Sequence, residues 1–301
     1  MSTILIIGAT GFIGLPVAQA LRRAGYIVYG LARTPEKARV LSQNEILPLQ
    51  GDIANLSEWI PKSVETIIDV SGLFKEAYVL LEQAKKIGAG RKPTDPKLGF
   101  IYTSGMWVHG TSPDHVSEAT VLTHPSAIVE WRPEAEATIM AAHDVLDVVI
   151  VRPAILYGGN GTICSVWLDP IYNAAKENAA AVSIPGSPTL PITFVHKDDL
   201  GDFYIKVVDK LTILAASTHP VINAASHQED LGPIVTAFGK AIGFKGQINY
   251  RPAENPFEEG MVTIVNFRAN KARGLLGWKP RQIPFAQGME IYAAAYKAFK
   301  E

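Results

Sequence analysis

The chain has a single cysteine, Cys164, in 301 residues. No intrachain disulfide can form, which excludes a crosslinked secreted scaffold and points to a reducing compartment. Neither sign of charge is in excess. The 28 Lys and Arg stand against 29 Asp and Glu, for a formal net charge of -1. That balance offers no broad attraction to nucleic acid or to an anionic membrane. Long apolar runs are missing as well. The run at residues 4–7 stops at Gly8, too short for a signal segment or a membrane span, so a soluble, cytoplasmic protein is expected. There is no internal repeat and no low-complexity tract. His196-Lys197-Asp198-Asp199 has no second cluster of ligand types at suitable spacing, so no metal site is expected. Two further absences bear on function: the first acidic residue is Glu36, and no tyrosine lies between Tyr102 and Tyr157.

What is present is an ordinary globular composition, 48% hydrophobic and 19% charged. Residues 4–7 form a short apolar run ending in glycine, as expected of a strand buried on both faces. Residues 12–24 read as a helix, with Ile13, Val17, Ala20, Leu21 and Ala24 at helical spacing, Pro16 near the first turn and Gly25 as the stop. Further strands are expected at 26–32, 46–49, 66–70, 99–103 and 148–152. Thr34 is placed to cap the second helix, with Pro35 at its first position. Residues 92–97, with two prolines, read as a surface loop. Strands alternating with helical stretches imply parallel βαβ units. The fold class is therefore α/β, a Rossmann-type doubly wound parallel sheet with a smaller C-terminal substrate lobe. Residues 1–157 form the expected core. Beyond the flexible turn Gly158-Gly159-Asn160-Gly161, residues 158–301 are mainly the lobe, with segments such as 221–224 returning to the core sheet.

The segment Gly8-Ala9-Thr10-Gly11-Phe12-Ile13-Gly14 lies between the first strand and the first helix. Glycines there allow a tight turn and bring backbone N–H groups close to a pyrophosphate, with the positive end of the helix behind them. Gly8, Thr10, Gly11, Phe12 and Ile13 are the expected cofactor contacts. An NAD site usually places an acid near the end of the second strand, for the ribose 2′-OH. This chain has Leu31-Ala32-Arg33-Thr34 instead. Arg33 can pair with a 2′-phosphate and Thr34 can hydrogen-bond it, so NADP(H) is the expected cofactor.

The chain resembles the extended short-chain dehydrogenase/reductase family, which includes nucleotide-sugar epimerases and dihydroflavonol-type reductases. The matching segments are ILIIGATGFIG from residue 4, Gly51-Asp52, IYTSGMWVHG from 101, VRPAILYG from 151, FVHKDDL from 194 and LGWKP from 276. The resemblance implies that Asp52 and Ile53 contact the adenine. It places Ser71 and Gly72 along the cofactor, and Pro153 to Ile155 beside the nicotinamide. Family chemistry uses a Ser/Thr, a Tyr acid/base and a Lys. Here the serine position falls on Gly105, the tyrosine position on Ile128 and the lysine position on Arg132. Two Y-x-x-x-K matches, Tyr172 to Lys176 and Tyr296 to Lys300, come after the sixth strand and read as helix-surface pairs.

Arg132 remains a candidate fixed cation for the nicotinamide ribose, though a poor proton donor. Ser104 either orients a substrate oxygen or satisfies loop backbone. His109 is either an acid/base group or a structural histidine. Gly105, Trp107, Trp131 and Tyr157 are candidate substrate-pocket residues, with core packing the alternative for the aromatics. Cys164 reads as a buried inert thiol, and Glu258 and Glu259 as a solvated loop. Three functions follow. The first is an NADPH-dependent reductase of a small carbonyl or imine compound. The second is a redox-inactive NADP(H) sensor, and the third a non-redox isomerase or lyase. The expected partner is a small molecule, bound by a monomer or homodimer.

Overall fold

Alternating side chains of a strand point to opposite sides, and the first strand, β1 (Thr3–Ile7), is buried on both. Ile4 and Ile6 enter one apolar core, Leu5 and Ile7 a second on the other face of the sheet. The computed structural model describes residues 2–160 and 162–301. Along the first half run α1 (Gly14–Arg23), β2 (Ile27–Leu31), α2 (Pro35–Gln43), β3 (Leu47–Leu49), the single-turn α3 (Leu56–Trp59), β4 (Val64–Asp69), α4 (Phe74–Ala89), β5 (Leu98–Thr103), β6 (Ser112–Val116), α5 (Arg132–Met140), β7 (Leu146–Pro153) and β8 (Ile155–Tyr157). The second half adds α6 (Ser165–Lys176), β9 (Ala181–Pro185), β10 (Pro191–His196), α7 (Lys197–Asp209), α8 (Leu211–Ala215), β11 (Val221–Ala224) and β12 (His227–Asp230). It ends with α9 (Leu231–Ile242), β13 (Gln247–Arg251), α10 (Pro256–Met261), β14 (Val265–Phe267), α11 (Asn270–Gly274) and α12 (Met289–Lys300).

The central sheet is parallel and seven-stranded, in the order β11-β7-β5-β4-β1-β2-β3. This is the expected doubly wound architecture. Strand order reverses beside β1, so the crevice for a ligand opens at the carboxyl end of β1, where residues 8–14 lie. Thr34 caps α2 as expected, its Oγ1 accepting the Lys37 N–H at 3.3 Å, and Gly25 ends the first helix with φ +93°. Strand β11 returns to the sheet from the second half, pairing Val221 with Ile150.

Three small sheets make the remainder: β12-β10-β8, β13-β9 and β14-β6. The second half also supplies a helix to the core layer. Helix α7 lies on α1, and a Cβ at Gly201 would sit 2.9 Å from the Pro16 carbonyl oxygen. The dipeptide Gly158-Gly159 turns with positive φ at both residues. Gly161, the last residue of that expected turn, lies outside the described residues. Among the described residues no helix is long and apolar enough to cross a membrane.

Candidate functional site

The turn after β1 closes tightly. Gly8 has φ +87°, and a Cβ there would lie 3.0 Å from the backbone of Ser71, two residues past the end of β4. Gly11 N–H donates to Gly8 O at 2.9 Å. A Cβ on Gly14 would stand 2.0 Å from the same oxygen, so only glycine lets α1 start this close to the strand. No side chain caps α1, and its first turn holds no acid. Its amide groups and positive end are therefore directed at the loop, which includes the half-buried Thr10. A cradle that a Cβ would fill, ahead of an uncapped helix, fits the pyrophosphate of a dinucleotide.

Two hollows flank this cradle. One, of about 510 Å³, lies beyond the ends of β2 and β3 and is lined by Leu31, Arg33, Asp52 and Ile53, with Glu76 from α4. Arg33 is exposed. The Asp52 carboxylate is turned to its own backbone, accepting the Ala54 N–H at 3.0 Å. Thr34 does not line the hollow, and the role its hydroxyl oxygen takes is the helix cap.

The other hollow is a cleft of about 420 Å³ over the ends of β4, β5 and β7. Gly11, Phe12 and Ile13 form its near wall. Ser71 and Gly72 lie beside them, and Ser104, Gly105, Met106 and Trp107 face them. Pro153, Ala154, Ile155 and Leu156 close the other side, and Arg132 stands at the edge. Gly105 has an extended backbone, and nothing lies within 4 Å of where its Cβ would be. The missing side chain leaves open space. Arg132 starts α5, and its Nη1 donates to Thr103 O at 3.0 Å. Pro133 follows at once. The helix begins there, and Ile128 falls in the preceding 3-10 turn. Arg132 is the one ionisable residue lining the cleft, among the described residues.

Several expected site residues lie elsewhere, and the reasons are physical. His109 is buried behind the cleft, its Nε2 3.4 Å from Arg152 Nη1 and its ring 5.7 Å from Phe267. Burial, then the Arg152 charge, pushes its pKa down to about 3. It stays neutral and is not an acid/base group of the cleft. Tyr157 is fully buried among Phe194, His196, His227, Phe285 and Tyr292, with its hydroxyl donating to Ile283 O at 3.0 Å. It is core, not pocket. Trp131 packs on Phe74 at 4.8 Å under the Arg132 guanidinium, outside the cleft lining. Lys176 and Lys300 lie over the rings of Tyr172 and Tyr296, at 5.5 and 5.4 Å, as helix contacts remote from the cleft. Cys164 is buried, its thiol pKa raised by burial. In the expected solvated loop, the Glu258 carboxylate is instead buried in an ion pair with the half-buried Arg251. Arg251 donates to both its oxygens, at 2.7 and 2.9 Å, and holds its pKa down to about 2.

Asp69 went unnoticed in the sequence. It ends β4 at 1% exposure, its Oδ1 accepting the Ser71 N–H at 2.9 Å and the Ser71 hydroxyl at 2.7 Å. Its Oδ2 has no hydrogen-bond partner, and burial raises its pKa. The signal was an acid closing the apolar strand Ile67-Ile68-Asp69. Ser71 thus joins the cleft to a buried carboxyl. Ser104 Oγ is also buried without a partner. Behind Arg132, the fully buried Arg152 and Glu136 form an ion pair of 2.5 Å that ties α5 to β7.

The model of the NAD dependent epimerase/dehydratase family matches residues 4–72. No match was found among curated proteins. Solved structures align over nearly the whole chain. The dTDP-glucose 4,6-dehydratase of Bacillus anthracis, in complex with NAD, is 17% identical with a TM-score of 0.79, over 99% of this chain and 97% of that one. The UDP-glucuronic acid 4-epimerase of Bacillus cereus, with UDP-glucuronic acid and NAD, is 19% identical with a TM-score of 0.76, over 99% of both. The UDP-glucose 4-epimerase of Bifidobacterium longum, with NAD+ and UDP, is 18% identical with a TM-score of 0.75, over 99% and 98%. The fold is that of extended short-chain dehydrogenases/reductases, and the resemblance drawn from the motifs is borne out at that level.

Proposed function

We propose that the protein binds NADP(H) across the glycine loop and reduces a small carbonyl or imine compound. The observation that carries this reading is continuity. The loop that shapes the start of α1 also gives Gly11, Phe12 and Ile13 to the wall of the 420 Å³ cleft. Bound there, the nicotinamide supplies a hydride to the substrate carbon. The amides at the start of α1 hold the pyrophosphate, and Arg33 pairs with the 2′-phosphate. Asp52 and Ile53 border the adenine, with Pro153 and Ile155 beside the nicotinamide. Arg132 is a fixed cation at the ribose. Ser104, with its unpartnered hydroxyl, orients the substrate oxygen. The product oxygen takes its proton from solvent water, since the cleft lining offers no acid besides Arg132 among the described residues.

One observation favours a second reading, an NADP(H) sensor without turnover: no tyrosine, lysine, histidine or carboxyl group lines the cleft among the described residues. A panel of aldehydes, ketones and imines, followed by loss of NADPH absorbance, separates the two. Turnover with any member supports the reductase. Tight NADPH binding with no turnover favours the sensor, or an isomerase or lyase on the same fold.

A further inference from the structure

We infer that the cleft takes an uncharged, largely apolar carbonyl compound with a planar ring, seated against Trp107, and takes neither a nucleotide diphosphate nor an iminium cation. This rests on a nicotinamide dinucleotide occupying the glycine-loop end, and it narrows the substrate of that same site.

The first argument is charge. A diphosphate withdrawn from water needs several cations or aimed N–H groups. The cleft offers Arg132, and this side chain is already engaged with Thr103 O and the Trp131 face. Three cations of the second lobe are committed elsewhere. Arg251 is paired with Glu258, Lys197 with Asp198 at 2.7 Å, and Arg268 with His115 at 2.9 Å. The sign of the one cation matters too. A guanidinium at the edge of a low-dielectric cleft favours an oxygen gaining negative charge and repels an iminium.

The second argument is shape. Phe12, Met106, Trp107, Val129, Leu156 and Ile163 give the cleft its apolar walls. Trp107 is held from behind. A Cβ on Gly260 of α10 would touch two atoms of its ring at 3.4 Å, and Phe257 meets it edge-on, the ring centroids 6.2 Å apart at 82°. Helix α10 is itself fixed by the Glu258–Arg251 pair and by Asn255, whose Oδ1 accepts the Glu258 N–H at 2.9 Å. Beside Trp107, Gly105 leaves its side-chain space free. A planar ring can enter there and pack on the indole.

Calorimetric titration of the full chain, saturated with NADP+, tests this with three probes: acetaldehyde, 2-naphthaldehyde and UDP-glucuronic acid. The expected order is 2-naphthaldehyde about tenfold or more tighter than acetaldehyde, with no saturable binding of UDP-glucuronic acid. Trp107→Ala should weaken 2-naphthaldehyde about tenfold and leave the Kd for NADP+ unchanged, and Trp107→Phe should keep most of the affinity. The inference is overturned by UDP-glucuronic acid binding tighter than 2-naphthaldehyde, by unchanged naphthaldehyde affinity in Trp107→Ala, or by no aldehyde binding to the NADP+-loaded chain. Absence of NADP+ binding overturns the cofactor reading and this inference with it.

Discussion

Glu136→Gln perturbs the structure where its electrostatics are most exacting. Arg152 and Glu136 are 2% and 1% exposed, and the guanidinium donates to both carboxylate oxygens, at 2.5, 3.1 and 3.2 Å. The nearest other group is His109, whose pKa of about 3 keeps it neutral. Removing the carboxylate charge leaves a buried cation without compensation, which costs about 3–5 kcal/mol. At about 2–4 °C per kcal/mol for a chain of this size, Tm should fall by roughly 10 °C. Arg132 lies one helical turn before Glu136 on α5, so NADPH affinity should fall as well. Thermal melts by circular dichroism, with and without NADPH, measure both. The pair Glu136→Leu with Arg152→Met should be far less damaging, because both charges leave together. A Glu136→Gln melt within about 2 °C of the parent refutes the reasoning.

Gly14→Ala forces a Cβ to 2.0 Å from Gly8 O. The start of α1 must move, and NADPH affinity should fall by about tenfold or more at a stability cost of about 1–3 kcal/mol; calorimetry and denaturation read the two. A Cβ at Gly105 meets no atom within 4 Å, so Gly105→Ser should fold normally while narrowing the cleft, seen as a raised KM for bulky aldehydes. His109 gives a pH dependence. Its pKa of about 3 lies below the unfolded value near 6.5, so the unfolded chain binds the extra proton between those limits. Stability is therefore full above pH 6.5 and falls as pH drops towards 3, by at most about 1.4 kcal/mol per unit. His109→Gln should flatten that slope in urea titrations at pH 7 and pH 5. Tyr172→Phe and Tyr296→Phe should leave NADPH binding unchanged, as expected of groups remote from the cleft.

Local signals were legible where chain neighbours decide the structure. The buried β1, the turn at Gly8, the Thr34 cap with Pro35 behind it and the stop at Gly25 all follow from a few adjacent residues. The roles of His109 and Tyr157 did not, because partners far along the chain set them. His109 is neutral because it is buried and Arg152 lies against it, and Tyr157 is enclosed by Phe285 and Tyr292. Glu258 looked solvated because Arg251, its partner, stands in a different element. The pairing of β6 with β14 joins residues about 150 positions apart, beyond the reach of any periodicity. Asp69 was readable in principle, since an acid at the end of a doubly buried strand needs a reason.

The central claim is that this glycine loop holds a nicotinamide dinucleotide carrying a 2′-phosphate, recognised by Arg33. Calorimetric titration with NADPH and with NADH, on the parent chain and on Arg33→Ala, tests it most directly. NADPH should bind about tenfold or more tighter than NADH, and the preference should vanish in Arg33→Ala. Equal affinities in the parent chain, or tighter binding of NADH, contradict it.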